Sequence, residues 1–252
     1  MAVYSIYFSP TGGTEKVMKL LASAWESVMI IDLSVPEADY GDYNFSEKDV
    51  CLIGIPVFEG RVPKIVLERI SHMKANNTPA VLVAVYGNRD FNDALLELKN
   101  ELMPMGFRPV AAVSAVAHHS SLPMYAEGRP DQQDAEELKS FSAQLKEIVE
   151  AGKSEPVEVP GNEPYIEISM PPNYPLFDRE KCIDCKACAE KCPVQAIDRD
   201  TLELNQDRCA RCVRCVYVCP AGARYLDPAR QQAAAQRLAK LFEGRKPNVL
   251  YQ

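Results

Sequence analysis

Eight of the chain's nine cysteines fall into two runs, "CIDCKACAEKCP" from Cys182 and "CARCVRCVYVCP" from Cys209. The second repeats every spacing of the first, 27 residues later. Each reads C-x2-C-x2-C-x3-C-P. Three thiolates this close can wrap three corners of a cubane, and the fourth must arrive from elsewhere. The spacing is that of iron–sulfur runs whose fourth cysteine serves the other cluster. Zinc ribbons use pairs of C-x2-C instead. Two [4Fe–4S] clusters are therefore expected, one on Cys182, Cys185, Cys188 and Cys219, the other on Cys209, Cys212, Cys215 and Cys192. Pro193 and Pro220 should end a short helix after each fourth ligand. Lys186, Arg211 and Arg214 stand among the ligands and are expected to face water; the alternative is that their charge favours the reduced clusters.

Such a pair of runs needs few residues, yet the chain has 252. That length suggests one large and one small domain. Hydrophobic content of 47% and charged content of 25% are those of a globular protein. No apolar run is long enough for a membrane span. The start, "MAVYSIYFSPTGG", lacks a signal-peptide layout, so a cytoplasmic location is expected. Cysteines in tight runs there point to metal rather than disulfides. The fragility of such clusters suggests anaerobic metabolism. The overall charge of −7 divides into −8 for 1–150, −3 for 151–175 and +4 for 176–252. The basic tail reads as counter-charge to thiolate-bound metal, not as a nucleic-acid surface.

Residues 1–150 alternate short apolar runs with helical patterns. Strands are expected at 3–8, 27–33, 49–56, 80–87 and 109–117, and helices at 14–24, 62–73, 93–103 and 131–150. Five strands alternating with helices predict an α/β fold with a doubly wound parallel sheet. The stretch 34–48 is the weakest helical pattern. Residues 151–175 hold six prolines and read as an extended linker with one strand at Tyr165–Ile168. Residues 176–252 form the small cysteine-bearing domain, closed by a helix over 228–243 that starts on Pro228.

The loop after the first strand, "YFSPTGGTEKV", combines hydroxyls at Ser9, Thr11 and Thr14 with Gly12 and Gly13 at the start of a helix. Free helix amides and the dipole end make it a phosphate site. It is neither a P-loop nor a G-x-G-x-x-G fingerprint. Its neutral donors suit the phosphate of a mononucleotide flavin. In an open parallel sheet a ligand sits outside the carboxyl ends of the strands, at the switch between strands 1 and 3. There lie "PVFEGRVP" (56–63) and "YGNRDFNDAL" (86–95), with aromatic faces at Phe58, Tyr86 and Phe91. Gly60 and Gly87 allow close approach.

These loops and the strand count look like flavodoxin. With the cysteine segment, and with "PVFEGRVP", "YGNRDFNDALLEL" and "HHSSLP", the chain resembles the flavodoxin–ferredoxin fusion family over nearly its whole length. The resemblance implies a flavodoxin-like domain binding FMN, followed by a small α+β, bacterial-type two-cluster ferredoxin domain. It implies phosphate contacts from Ser9, Thr11, Gly12, Gly13 and Thr14. It also implies that Pro56, Val57, Phe58, Glu59, Gly60 and Arg61, with Tyr86, Gly87, Asn88, Arg89, Phe91 and Asp93, flank the flavin ring. Gly60 matches the glycine whose carbonyl meets the ring nitrogen. The sequence lacks the Trp/Tyr sandwich of ordinary flavodoxins.

The expected role is electron transfer between FMN and two [4Fe–4S] clusters and on to or from a redox protein partner. The alternative is an FMN-dependent reductase of a small acceptor, a quinone or nitro compound, fed by the clusters; it needs an open pocket over the flavin. No catalytic residue is assigned. Arg61 and Arg89 are read equally as flavin counter-charges or as surface ion pairs. His118 and His119 are expected to be structural rather than proton donors, and Cys51 a core residue. Flavin and clusters can meet within one chain or across a homodimer; both arrangements stay open.

Overall fold

The structure, a computed structural model, describes residues 1–168 and 172–252. Residues 169–171 of the expected linker lie outside the described residues. The first part runs β1 (Val3–Tyr7), α1 (Gly13–Leu21), β2 (Met29–Asp32), β3 (Val50–Pro56), α2 (Lys64–Ile70), β4 (Thr78–Tyr86), α3 (Ala94–Leu102), β5 (Phe107–Val116) and α4 (Gln132–Glu150). The second runs β6 (Leu176–Phe177), α5 (Ala187–Glu190), α6 (Arg214–Tyr217), β7 (Arg224–Tyr225), α7 (Pro228–Leu238) and β8 (Val249–Tyr251).

The large sheet has the order β8-β5-β4-β3-β1-β2. Its five predicted strands pair in parallel, in the 2-1-3-4-5 order of flavodoxin-like sheets. Burial explains their composition. Every residue of β4 is buried, because helices cover both faces. Alternate side chains feed two cores: Ile53, Ile55 and Leu82 pack with α2 and α3, whereas Leu52, Val81 and Val83 pack with α1 and α4. The chain therefore crosses from one face to the other between β1 and β3, and that reversal opens the crevice. Cys51 is a fully buried core residue, as its neighbours in β3 predict, and burial raises its thiol pKa.

Stretch 34–48 forms no helix; it contributes Asn44–Phe45, paired with Lys74–Ala75. The strand expected at Tyr165–Ile168 does not form. The Ile166 amide goes instead to the Asp93 carboxylate at 2.6 Å. The last helix is shorter than its pattern: α7 ends at Leu238, and a 3-10 turn carries the chain to Phe242.

One strand is an addition. β8 pairs antiparallel with β5, Leu250 opposite Val113, so residues 249–251 belong to the large sheet although they follow the cysteine segment. A buried polar knot fixes this return. Arg129 grips Asp134 through two bonds of 2.9 and 2.5 Å and donates to the Lys246 carbonyl at 2.9 Å. Asn248 donates to Asp134 at 3.0 Å and accepts from the Val116 amide at 2.9 Å. Arg245 reaches Asp131, the capping-box residue of α4.

Candidate functional site

The loop after β1 has the features of an anion cradle. Gly12 takes φ +88°, a left-handed conformation that a side chain would strain. No side chain caps α1, and the Gly13 and Thr14 amides have no hydrogen-bond partner among the described residues. Ser9 braces the turn: its amide donates to Ser34 Oγ at 2.7 Å, and its own Oγ accepts from the Glu15 amide at 2.9 Å. Thr14 is buried and Thr11 half-buried. The donor set is uncharged and fits a phosphate on the α1 dipole.

After β3 the chain makes a two-residue hairpin. Phe58 and Arg61 exchange both backbone bonds at 3.0 Å, with Glu59 at φ +56° and Gly60 at φ +87°. Positive φ at both central positions is the signature of a type I′ turn. Phe58 stands edge-on to Phe8, and the Val57 amide bonds to the Val85 carbonyl, following Pro56 at the end of β3. The Gly60 carbonyl accepts from the Asp93 amide at 3.1 Å, so the group that the resemblance directs to the flavin is already held by protein. Glu59 instead keeps one oxygen, Oε2, buried with no partner among the described residues.

The loop after β4 serves largely as an anchor. Asn88 donates to the Phe242 and Gly244 carbonyls at 2.9 and 2.8 Å. Asp93 accepts from Asn162 and Ile166, and these bonds hold its pKa below the usual carboxylate value although burial pushes the other way. Arg61 makes a bidentate pair with Glu97 at 2.9 and 2.7 Å and covers the Tyr165 ring at 4.7 Å. Its reading as a flavin counter-charge therefore gives way to that of an ion pair gripping the linker. Arg89 bonds to Asn92 at 2.7 Å, and Tyr86 and Phe91 pack edge to face at 5.5 Å.

A Cβ on Gly87 would lie 2.5 Å from the His119 ring, so Gly87 makes room for that histidine. His119 Nδ1 accepts from the Leu122 amide at 3.2 Å, which requires a neutral ring. Burial, helped by Arg89 and His118, lowers its pKa to about 4. The unfolded chain takes up that proton first, so the associated stability is complete above pH ~6.5 and is lost progressively toward pH 4. The shift corresponds to roughly 3 kcal/mol. Thermal melts from pH 7.5 to 5 should therefore fall more steeply for the native chain than for His119→Gln. Parallel slopes would refute the assignment.

The cysteine runs form two short helical turns, α5 and α6, each entered through a left-handed residue (Lys186 and Val213). Backbone amides point at sulfur: Asp184 at Cys182 (3.4 Å), Ala196 at Cys192 (3.3 Å), Arg211 at Cys209 (3.4 Å) and Ala223 at Cys219 (3.2 Å). Such bonds stabilise thiolate charge. Burial raises the pKa of Cys209 and pushes Cys212 and Cys215 up to about 12, and the nearby Cys192 adds to all three. The fourth cysteine of the first run is thus near enough to the first three of the second to act on their charge. Cys219, which burial would raise, is lowered by amides from Arg224, Ala223, Ala221 and Gly222. Among the described residues no three candidate ligands gather tightly enough for one metal ion. A cubane carries its thiolates on four separate corners rather than around one ion.

The expectation that the cations among the ligands face water fails for two of three. Arg211 pairs with Glu59 at 3.0 Å, and Arg214 Nε is buried without a partner among the described residues; Lys186 alone stays largely exposed, beside Asp200. The reason is docking. Cys212 packs in the same apolar core as Ile55 and Val62. Tyr217 donates to the Ser120 carbonyl at 3.1 Å, Gln231 to Ser121 at 2.7 Å, and Gln195 to Glu37. These acceptors follow β2, β3 and β5, so the cysteine segment covers the carboxyl edge of the sheet, where the cofactor loops converge. Two surface hollows of ≈ 360 and 370 Å³ lie on the cysteine segment and its linker, away from those loops.

Residues 181–223 match the family of 4Fe-4S dicluster domains. Fold and cysteine pattern together define a flavodoxin-like sheet joined to a 4Fe–4S segment, a class of electron-transfer protein. Among solved structures, a flavodoxin from the domain Archaea is 16% identical over 60% of this chain and 99% of its own, with a TM-score of 0.43. Flavodoxin 1 from Bacillus cereus is 17% identical over 61% of this chain and 100% of its own, with a TM-score of 0.42. Rubredoxin oxygen:oxidoreductase from the anaerobe Desulfovibrio gigas is 16% identical over 60% of this chain and 36% of its own, at 0.40. At such scores the fold assignment rests on the strand order itself. No curated protein matches the chain. Among the described residues no helix is long and apolar enough to cross a membrane.

Proposed function

We propose that the chain is a flavodoxin–ferredoxin fusion that moves electrons between FMN and two [4Fe–4S] clusters and exchanges them with a redox protein partner. When bound, the flavin would supply a centre able to carry one or two electrons beside one-electron clusters. The α1 amides with Thr11 and Thr14 would hold its phosphate, and the 56–61 hairpin would flank its ring. Cys182, Cys185, Cys188 and Cys219 would hold one cluster, and Cys192, Cys209, Cys212 and Cys215 the other.

The observation that carries this reading is the Arg211–Glu59 pair. It joins the ligand segment between Cys209 and Cys212 to the tip of the hairpin within a single chain. Coverage of the carboxyl edge also favours a carrier over a reductase, which needs that face open to a small acceptor. Cys185 and Ile183 are exposed and offer a surface to the partner.

The test is direct. Purified, cluster-loaded protein should hold one FMN and roughly eight irons. Stopped-flow reduction should show flavin and cluster bands changing in step. Arg211→Glu sets like charges face to face and should slow internal transfer by about tenfold or more. Protein that carries its iron yet takes up no flavin would remove the proposal.

A further inference from the structure

The loop that follows β2 touches both halves of the chain. On one side Ser34 Oγ accepts from the Ser9 amide at 2.7 Å, and the Leu33 amide donates to the Tyr7 carbonyl at 2.7 Å. The loop is therefore part of the frame that holds the phosphate cradle. On the other side Glu37, at φ +61°, accepts from Gln195 and pairs with Arg199 at 3.5 Å. Residues 193–199 follow directly on Cys192, so the same loop is a seat for the turn that carries this cysteine.

Arg69, in the last turn of α2, locks the seat. One terminal nitrogen donates to the Leu33 carbonyl and, at 3.2 Å, to the Val35 carbonyl; the other donates to the Pro193 carbonyl. The guanidinium lies over the Tyr40 ring at 5.5 Å, and the Tyr40 hydroxyl donates to the Asp32 and Val35 carbonyls at 3.1 and 3.3 Å. Among the described residues no carboxylate pairs with Arg69. Its rigid planar fork of donors is thus devoted to main-chain oxygens of two distant segments. Cys192 and Pro193 are buried at this junction.

We infer that Arg69 is a positioning residue for electron transfer between the two halves: it fixes the Cys192–Pro193 turn relative to the phosphate cradle, so that transfer needs no docking motion. The frame is continuous from Ser9 through Ser34 and the Leu33 and Val35 carbonyls to Arg69 and Pro193. Tunnelling falls steeply with separation, so a turn free to lift away would make the rate wait for its return. The Arg211–Glu59 pair and the Tyr217–Ser120 bond hold other loops of the cysteine segment. The inference rests on the proposed flavin and cluster occupancy, but on no particular sharing of the cysteines between clusters.

Arg69→Ala in the full chain, loaded with iron and FMN, tests it by two readouts. Hydrogen exchange at the Val194–Ile197 amides should rise about tenfold, while exchange in β4 and at Arg214–Tyr217 stays native. Internal transfer in stopped flow should slow about tenfold and fall further as sucrose raises the viscosity, whereas the native rate ignores viscosity. A residue that merely added stability would lower the melting temperature without making the rate viscosity-dependent. Arg69→Lys, whose single ammonium replaces the fork, should fall between the two, and it decides if the alanine variant fails to fold. Native exchange at Val194–Ile197 in the variants, or a native rate that already falls with viscosity, overturns the inference. Protein that holds iron but no flavin would remove the proposed function; exchange at Val194–Ile197 would still decide whether Arg69 holds the turn.

Discussion

Cys192→Ala should abolish the same cluster signal as Cys209→Ala, although Cys192 belongs to the first run. Each variant should lose roughly half of the bound iron. Cys219→Ala and Cys182→Ala should together lose the other signal. The crossing follows from geometry: three ligands at C-x2-C-x2-C spacing wind around one face of a cluster, and the next turn carries the fourth sulfur away from it. In the structure Cys192 raises the pKa of Cys209, Cys212 and Cys215, whose principal perturbation is burial. Iron analysis with electron paramagnetic resonance on the four variants reads the pairing directly. If Cys192→Ala and Cys182→Ala erased one signal in common, each run would serve its own cluster and the crossed sets would be wrong.

Asp134→Ala should be the most destabilising single change in the large domain, by about 3–5 kcal/mol. Arg129 and Asp134 are both almost fully buried, and removing the carboxylate leaves a guanidinium without its anion. The same carboxylate accepts from Asn248, so the loss also frees the strand that returns to β5. Burial would raise the Asp134 pKa, but the bonds from Arg129, Asp131 and Asn248 prevail and hold it below the ordinary carboxylate value. A depressed carboxylate stabilises fully above its unfolded pKa of ~3.9, and the contribution is lost as pH falls through the folded value. Denaturant melts at neutral pH measure the first effect, and hydrogen exchange on Val249–Tyr251 the second. Protection of β8 amides unchanged in Asp134→Ala would show that the knot does not hold the strand.

Much of the fold is legible in the sequence because burial on both sheet faces leaves continuous apolar runs. β1, β3, β4 and β5 carry such runs, and their strand ends fall within two residues of those expected. β8 was hidden because three apolar residues after a charged helix carry no period, and its partner edge exists only once β5 is in place. The Tyr165–Ile168 segment has a strand's composition, but its Ile166 amide is taken by Asp93 instead of a neighbouring strand. The cysteine segment was legible as a 4Fe–4S dicluster domain because cluster geometry constrains local spacing. The roles of Arg61, Asn88 and Asp93 were not legible. Each is a loop residue whose partner lies 36 or more positions away in the chain, so only the assembled fold shows whether it serves a ligand or the protein.

The return of β8 to the sheet has a mechanical consequence. The cysteine segment is held by two tethers, the 151–175 connector at its front and the pinned strand behind it, so it forms a closed handle rather than a swinging arm. A single cut in the connector leaves the handle attached. Its local concentration over the hairpin therefore survives dilution.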